Sequence, residues 1–262
     1  MSRSQFLLFR WPRRFAVEPL DLICVVLLAV GSFGLYAVTA VPGPFDGDSG
    51  EFQYMPRLLG LPHPTGYPIY LLLGWLWSWL PLGTMAFRLN LFSAFWATVT
   101  LLLLFAIARA QGFQQVAALG GGIALGLVPP FWRYAGLAAV YTLHTALMAG
   151  ALLSWLYWSA GRRNATAGVV TQSGTRSGKK RLWMAAFFTG LALTNHPTAA
   201  FVVPAALLFL LSHWESLRTK RITRHDVRDG LLTVAFFALP IENEISAEVD
   251  CLCCIEQGSN EI

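Results

Sequence analysis

The sequence predicts an all-α, polytopic membrane protein. Hydrophobic residues make up 55% of its 262 residues and charged residues only 13%, which is about half the charged fraction of a typical soluble domain. The uncharged run 22–41 would rise about 30 Å as a helix and so match the hydrocarbon core of a bilayer. Because this run is too long for a signal-peptide core and more apolar segments follow, we interpret it as the first span.

Further apolar segments follow along the chain. They are residues 89–108, 115–131, 137–160, 182–194, 198–211 and 231–240. The sequence therefore predicts a membrane module over 22–240, after a basic cytoplasmic N-terminus at 1–21. The composition changes abruptly at 241–262, a stretch with acids and cysteines but no Lys or Arg. We interpret 241–262 as a foreign or unusual tail on a module that is incomplete at its C-terminal end.

The apolar stretch 67–82 has two possible placements. It carries three tryptophans, and tryptophan favours the headgroup level, where its ring is in apolar surroundings and its N–H is hydrated. An interfacial or re-entrant helix here leaves only Arg57, Arg88 and Arg133 of the 19 Lys and Arg residues outside, as the positive-inside rule favours. We therefore expect an interfacial helix, the alternative being a true span with a basic outer loop at 161–181.

This topology gathers polar residues on the outer side of the membrane. The first outer loop, 42–88, contains the stretch DGDSGE at 46–51, with three carboxylates in six residues. The same side holds His63, Tyr134, Tyr141, His144, Asn195 and His196, besides the three arginines. Titratable groups at a membrane boundary usually face a cavity and mark a substrate or ion path. A substrate site is expected on this side.

Several of these residues also have a purely structural explanation. Asp46 belongs to an Asp-Gly pair, which favours turns. If a helix begins at Ser49, Glu51 lies in its first turn, where the helix dipole stabilises a carboxylate by about 1 kcal/mol. His144 could be a satisfied buried histidine, and the outer arginines could anchor to lipid headgroups.

Five blocks of sequence together resemble a known family. They are DSGEF at 48–52, LGLPHPTGYPIYLLLG at 59–74, RLNLFSA at 88–94, WRYAGLAAVYTLHTAL at 132–147 and GLALTNHPTAAFVVPAALL at 190–208. In content and order they are similar to a family of multispanning membrane glycosyltransferases long catalogued as a domain of unknown function. That family includes a eukaryotic protein O-mannosyltransferase and belongs to the C-type superfamily of polyprenyl-linked-sugar transferases.

The resemblance implies a C-type glycosyltransferase-like helix bundle with interfacial helices in its first outer loop. The family's catalytic acid falls on Asp48, and Glu51 is the second acid of the same motif. Since a polyprenyl phosphate is already a good leaving group, transfer needs a base for the acceptor hydroxyl and positive charge on the phosphate. We assign the base to Asp48 and the phosphate contacts to Arg57, Arg88 and His63.

The remaining assignments follow from the same chemistry. A single base opposite the leaving group predicts inversion of the anomeric carbon. Glu51 orients the acceptor or fixes Asp48. Further substrate-binding candidates are Tyr67, Tyr141, His144, Asn195 and His196. No cofactor or metal is expected, because the cysteines at 251–254 lack a second ligand pair.

The expected function is transfer of a sugar from polyprenyl phosphate to a hydroxyl of a protein or glycolipid on the outer or lumenal face. The family's eukaryotic branch indicates that this sugar is mannose. The excess of Arg over Lys favours a bacterial cytoplasmic membrane over the endoplasmic reticulum. The alternatives are a transporter or lipid flippase, a structural subunit, and an inactive truncated enzyme. The net charge of +5 arises from inner loops and does not indicate nucleic-acid binding.

Overall fold

The fold is all-α, as the sequence predicts. A computed structural model describes residues 18–63, 67–166, 172–201 and 204. These residues form eight α-helices and one short 3-10 helix, without a β-strand in the described part. The α-helices are α1 Pro19–Thr39, α2 Asp48–Leu58, α3 Pro68–Trp77, α4 Met85–Ala110, α5 Gln115–Gly126, α6 Pro129–Ala135, α7 Val140–Thr166 and α8 Gln172–Asn195, and the 3-10 helix is Pro197–Phe201.

Helices α1 and α4 are the described helices that are long and apolar enough to cross a membrane by themselves. Much of α1 is exposed, including Leu22, Leu27 and Val30, as expected of a helix that faces lipid. Its other face packs on α4 and α5, where Ser32 Oγ donates a hydrogen bond to Thr98 Oγ1 at 3.2 Å. The first predicted span is therefore confirmed.

The predicted span 115–131 is wrong as one straight helix. Helix α5 ends at Gly126, and α6 leaves it at an angle of 74°. Pro129 and Pro130 begin α6, and a proline can neither donate the ladder hydrogen bond nor fit inside a continuing helix. Together α5 and α6 make a third candidate span, bent between Gly126 and Pro129.

Helix α3 accounts for most of the stretch 67–82. Its ten residues rise about 15 Å, roughly half of the hydrocarbon core, so this stretch does not cross as a single helix. Tyr67 begins it from a left-handed conformation with φ of 50°. Gly74 packs α3 tightly on α2 and α4, because an added Cβ would lie 2.9 Å from Pro56 and 3.3 Å from Leu89.

Helices α7 and α8 form a long antiparallel pair. They extend through most of the region 161–181, so much of the predicted basic connection is helical. The two helices pack together before and after this region, where Trp155 Nε1 donates to Thr189 Oγ1 at 3.3 Å. Of the predicted segments, 231–240, 241–262, most of 198–211 and residues 1–17 of the N-terminal segment 1–21 lie outside the described residues.

Candidate active site

The acidic stretch forms the start of α2. Gly47 precedes the helix with φ of 68°, a left-handed conformation that glycine adopts without the strain of a side chain. Asp48 is the first helical residue. Gly50 lies against the incoming chain, because a Cβ there would be 2.5 Å from the carbonyl oxygen of Phe45. Asp46 and Asp48 are consequently exposed at the helix N-terminus.

A polar cavity of about 220 Å³ opens beside this N-terminus. Residues of 45–67, α6 and the start of α7 contribute its walls, so segments far apart in the sequence meet here as predicted. The polar side chains that line it include those of Asp46, Asp48, His63, Tyr67, Arg133 and Tyr141.

A larger cavity, about 260 Å³, lies between α1, α4 and α5. Its walls are leucines and other apolar groups, with Ser32 and Tyr36 as the polar exceptions. The Tyr36 hydroxyl already donates to the carbonyl of Gly126 at 2.9 Å. Because this cavity holds neither an acid nor a cation, the polar cavity is the better candidate for chemistry.

Two buried amides hold the acidic loop in place. Gln53 Oε1 accepts a hydrogen bond from the backbone N–H of Phe45 at 2.9 Å. Asn90 Nδ2 donates to the carbonyl of Val41 at 2.7 Å, and Asn90 Oδ1 accepts from the N–H of Ala138 at 2.8 Å. Asn90 thus fastens both the chain before α2 and the chain before α7 to α4.

Glu51 contacts His63, which lines the cavity. Its Oε2 lies 2.9 Å from His63 Nδ1 and accepts the His63 backbone N–H at 3.2 Å. These hydrogen bonds lower the pKa of Glu51 below its usual range, so the carboxylate stays ionised. His63 Nε2 lies 3.4 Å from the Tyr67 hydroxyl. Glu51 therefore fixes the ring of His63, while Asp48 makes no hydrogen bond within the described residues.

Aromatic rings connect this wall to the end of α8. The ring of Tyr67 stacks on His196 at 6.4 Å between centroids, and His196 lies 5.7 Å from Tyr141. His196 Nδ1 and His144 Nε2 lie 2.9 and 3.2 Å from the hydroxyl of Thr198. Burial lowers the pKa of His196, which favours the neutral imidazole. His144 is buried behind the surface that Tyr141 presents.

Asn195 lies in the packing beneath the site. Its Nδ2 donates to the carbonyl of Val140 at 3.2 Å, which joins the end of α8 to the start of α7. Its Oδ1 is buried and has no hydrogen-bond partner among the described residues. Asn195 is not among the residues that line the polar cavity.

The outer arginines occupy three different environments. Arg88 donates to the carbonyls of Ser78, Leu82 and Gly83, so it stabilises the turn after α3 and does not line the cavity. The guanidinium carbon of Arg57 lies 3.8 Å from the ring centroid of Trp79. The phosphate role expected for Arg57 and Arg88 is thus not supported by their positions. Arg133 lines the cavity instead.

Sequence reasoning gave Arg133 no role at the site and assigned Asp46 only to a turn. It did not single out Gln53 and Asn90 at all. A signal for Asn90 was present, because a buried amide in an apolar helix needs hydrogen-bond partners. Arg133 lies in the WRY sequence of a family-like block, but its position depends on the bend before α6. Within the described part of the chain, no group of His, Cys, Asp and Glu could hold a metal ion.

These features define a helical, multi-pass membrane protein with a polar, acid-bearing cavity between the segment around α2 and the region where α6 meets α7. Residues 48–219 match the family described as the Protein O-mannosyl-transferase TMEM260 N-terminal domain. The chain belongs to this family, which confirms the resemblance found in its sequence. The matched region begins at Asp48 and contains α2 to α8.

Two curated relatives are similar to most of this chain. It is 27% identical over 203 residues to Protein O-mannosyl-transferase TMEM260 of Mus musculus, covering 77% of this chain and 26% of the relative. It is 23% identical over 193 residues to Protein O-mannosyl-transferase tmem260 of Dictyostelium discoideum, covering 71% of this chain and 23% of the relative. The chain thus spans about a quarter of the length of these relatives. No solved structure matches it.

Proposed function

We propose that residues 22–240 form the glycosyltransferase module of a protein O-mannosyltransferase. The donor is mannose on a polyprenyl phosphate, and the acceptor is a Ser or Thr hydroxyl on the outer or lumenal face. The observation that carries this proposal is the position of Asp48 in a polar cavity with a cation and exposed tyrosines. The family match, which begins at the same residue, supports it.

Asp48 acts as the general base. An acid that is already paired would be a poor proton acceptor, whereas Asp48 has no hydrogen-bond or ion-pair partner within the described residues. Its carboxylate removes the proton of the acceptor hydroxyl while that oxygen attacks the anomeric carbon. The bond from this carbon to the phosphate oxygen breaks, and its electron pair leaves with the phosphate. Attack opposite the leaving group inverts the anomeric carbon.

Glu51 and His63 serve as positioning residues in this mechanism. The hydrogen bonds from His63 hold the Glu51 carboxylate one helical turn beyond Asp48. This arrangement fixes the His63 ring at the cavity wall and places its Nε2 beside the Tyr67 hydroxyl. A fixed wall contributes to transfer by orienting the two substrates before the reaction.

The aromatic residues provide the sugar and acceptor contacts. Tyr141 is 41% exposed and Tyr134 is 36% exposed, and their ring centroids lie 4.7 Å apart. Each ring offers an apolar face and a hydroxyl, the combination that suits a hexose. His196 borders Tyr141, while His144 and Asn195 support this surface from below.

A flippase is the competing function, and the bent α5–α6 pair is the feature that favours it. The two functions are separated by reconstituting the chain with radiolabelled mannosyl polyprenyl phosphate and a Ser/Thr peptide. We expect mannosylated peptide whose anomeric configuration is opposite to that of the donor. Movement of intact donor between leaflets, without release of mannose, would support the flippase and contradict the proposal. The same assay on the mouse relative tests whether segments beyond the matched region are needed.

A further inference from the structure

We propose that Arg133 binds the phosphate group of the prenyl-linked donor and of the prenyl phosphate that remains after transfer. This inference rests on the proposed function and assigns the anion subsite of the same cavity. Neither Arg57 nor Arg88, the arginines that the sequence suggested, has this position.

The placement of Arg133 is set by its neighbours on α6. Trp132 Nε1 donates to Thr39 Oγ1 at 3.0 Å, and Phe131 packs edge-on to Tyr36 with centroids 6.4 Å apart. Ala135 is fully buried. Because these contacts fasten α6 to the outer end of α1, the Arg133 side chain is directed to the cavity by a fixed scaffold.

Arg133 is available to a ligand. It is exposed, and its side chain makes no hydrogen bond or ion pair with any described residue, although Asp46 and Asp48 line the same cavity. The guanidinium is planar and offers paired N–H donors, a geometry that matches two oxygens of one phosphate. An arginine that is neither neutralised nor engaged by carbonyls keeps this capacity.

The other two arginines of this region lie away from the cavity. Arg88 donates to three backbone carbonyls of the turn after α3, and moving its guanidinium to a ligand would leave these contacts unmade. Arg57 lies over Trp79, with its Nη1 buried and without a hydrogen-bond partner among the described residues. Of the three, Arg133 is the one that lines the cavity together with Asp46 and Asp48.

The charge of the cavity makes this cation necessary. Asp46 and Asp48 would repel an anionic donor unless a positive group stands near the phosphate. Charge on the phosphate increases as the sugar departs, since a phosphate monoester carries about −1.5 to −2 at pH 7. Arg133 consequently interacts more strongly with the departing phosphate than with the intact donor, and such differential binding accelerates transfer.

The test measures binding of a short-chain prenyl phosphate to the full chain in nanodiscs of neutral lipid. Arg133→Gln removes the charge, and Arg133→Lys keeps the charge but loses the planar fork. Lys180→Gln is the matched control, because it removes one charge at an exposed position on α8. We expect Arg133→Gln to weaken binding about tenfold or more, Arg133→Lys to have an intermediate effect, and the control to bind like the parent. Thermal unfolding of each variant checks that it is folded.

Three probes distinguish the sources of the anion. Prenyl phosphate in neutral nanodiscs, inorganic phosphate, and nanodiscs containing phosphatidylglycerol are compared for the parent and Arg133→Gln. Loss confined to prenyl phosphate supports the subsite. The proposal is overturned if parent and variant bind prenyl phosphate equally, or if the parent does not bind it. It is also overturned if Arg133→Gln changes only the binding to phosphatidylglycerol, a result that would make Arg133 a headgroup anchor.

The outcomes also separate this inference from the proposed function. If Arg133→Gln loses prenyl phosphate while the parent transfers no mannose, the subsite stands and the mannosyltransferase proposal fails. If the parent transfers mannose and Arg133→Gln transfers it at the same rate, the mannosyltransferase proposal stands and the subsite is refuted.

Discussion

Gln53 and Asn90 are hydrogen bonded to each other, with Gln53 Nε2 donating to Asn90 Oδ1 at 3.1 Å. Both side chains are fully buried, so their amide groups cannot exchange these partners for water. Through this pair α2 is joined to α4, and each amide also binds the backbone of residues 41–45. The geometry of the acidic cavity wall therefore depends on two neutral residues that contribute no charge.

Replacing Asn90 with Ala should destabilise the protein. The carbonyl of Val41 and the N–H of Ala138 would lose a hydrogen-bond partner, and a buried group left unsatisfied costs about 1–3 kcal/mol. We expect the free energy of unfolding in mild detergent to fall by about 2 kcal/mol or more. Gln114→Ala, an exposed amide without a side-chain capping bond, is the control. Equal stability of parent and Asn90→Ala would contradict the role of the pair.

Membrane topology can be mapped with single cysteines in a cysteine-free background. Asp46→Cys should react with an impermeant reagent, because Asp46 is exposed and lines the polar cavity. The predicted topology places this reaction on the outer side. Gln114→Cys and Lys180→Cys, both exposed, should react only from inside. Labelling of position 180 from outside would refute this topology and with it the interfacial placement of 67–82.

The sequence predicted the elements that depend on local composition. Uncharged runs gave α1 and α4, and the distribution of positive charge predicted that three outer segments meet. The bend before α6 was missed because 115–131 was treated as one continuous apolar segment, without weight on the Pro129–Pro130 pair. Arg57, Arg88 and Arg133 were equivalent in a charge count, and only tertiary contacts distinguish them. The Gln53–Asn90 bond joins residues far apart in sequence, which no local pattern specifies.

The hydrogen bonds between Glu51 and His63 should make stability depend on pH in the acid range. Because the pKa of Glu51 is lowered in the folded state, the contribution is complete above the unfolded pKa of about 4.3 and is lost as pH falls through the folded value. Since the Glu51 side chain is 41% exposed, we expect at most about 1 kcal/mol.

The measurement is thermal unfolding of the parent and Glu51→Gln between about pH 3 and 6. The stability difference between them should be present at the upper end and disappear at the lower end. Asp46→Asn, an acid with no hydrogen bond among the described residues, should show no comparable trend. A difference that grows toward low pH would have the opposite sign and contradict the assignment.

The three acids of DGDSGE should differ in their effect on transfer. Asp48→Asn keeps the size of the side chain but removes proton acceptance, so we expect mannose transfer to fall about 100-fold or more, the scale of general-base catalysis. Glu51→Gln should be intermediate, because a neutral amide weakens the contact with His63 without removing the base. Asp46→Asn should have little effect, since its carboxylate has no hydrogen bond or ion pair with a described residue.

Rates are compared at equal amounts of folded, membrane-inserted protein. Parental activity in Asp48→Asn together with an inactive Asp46→Asn or Glu51→Gln would move the base to the other carboxylate, and full activity in all three would refute the mechanism.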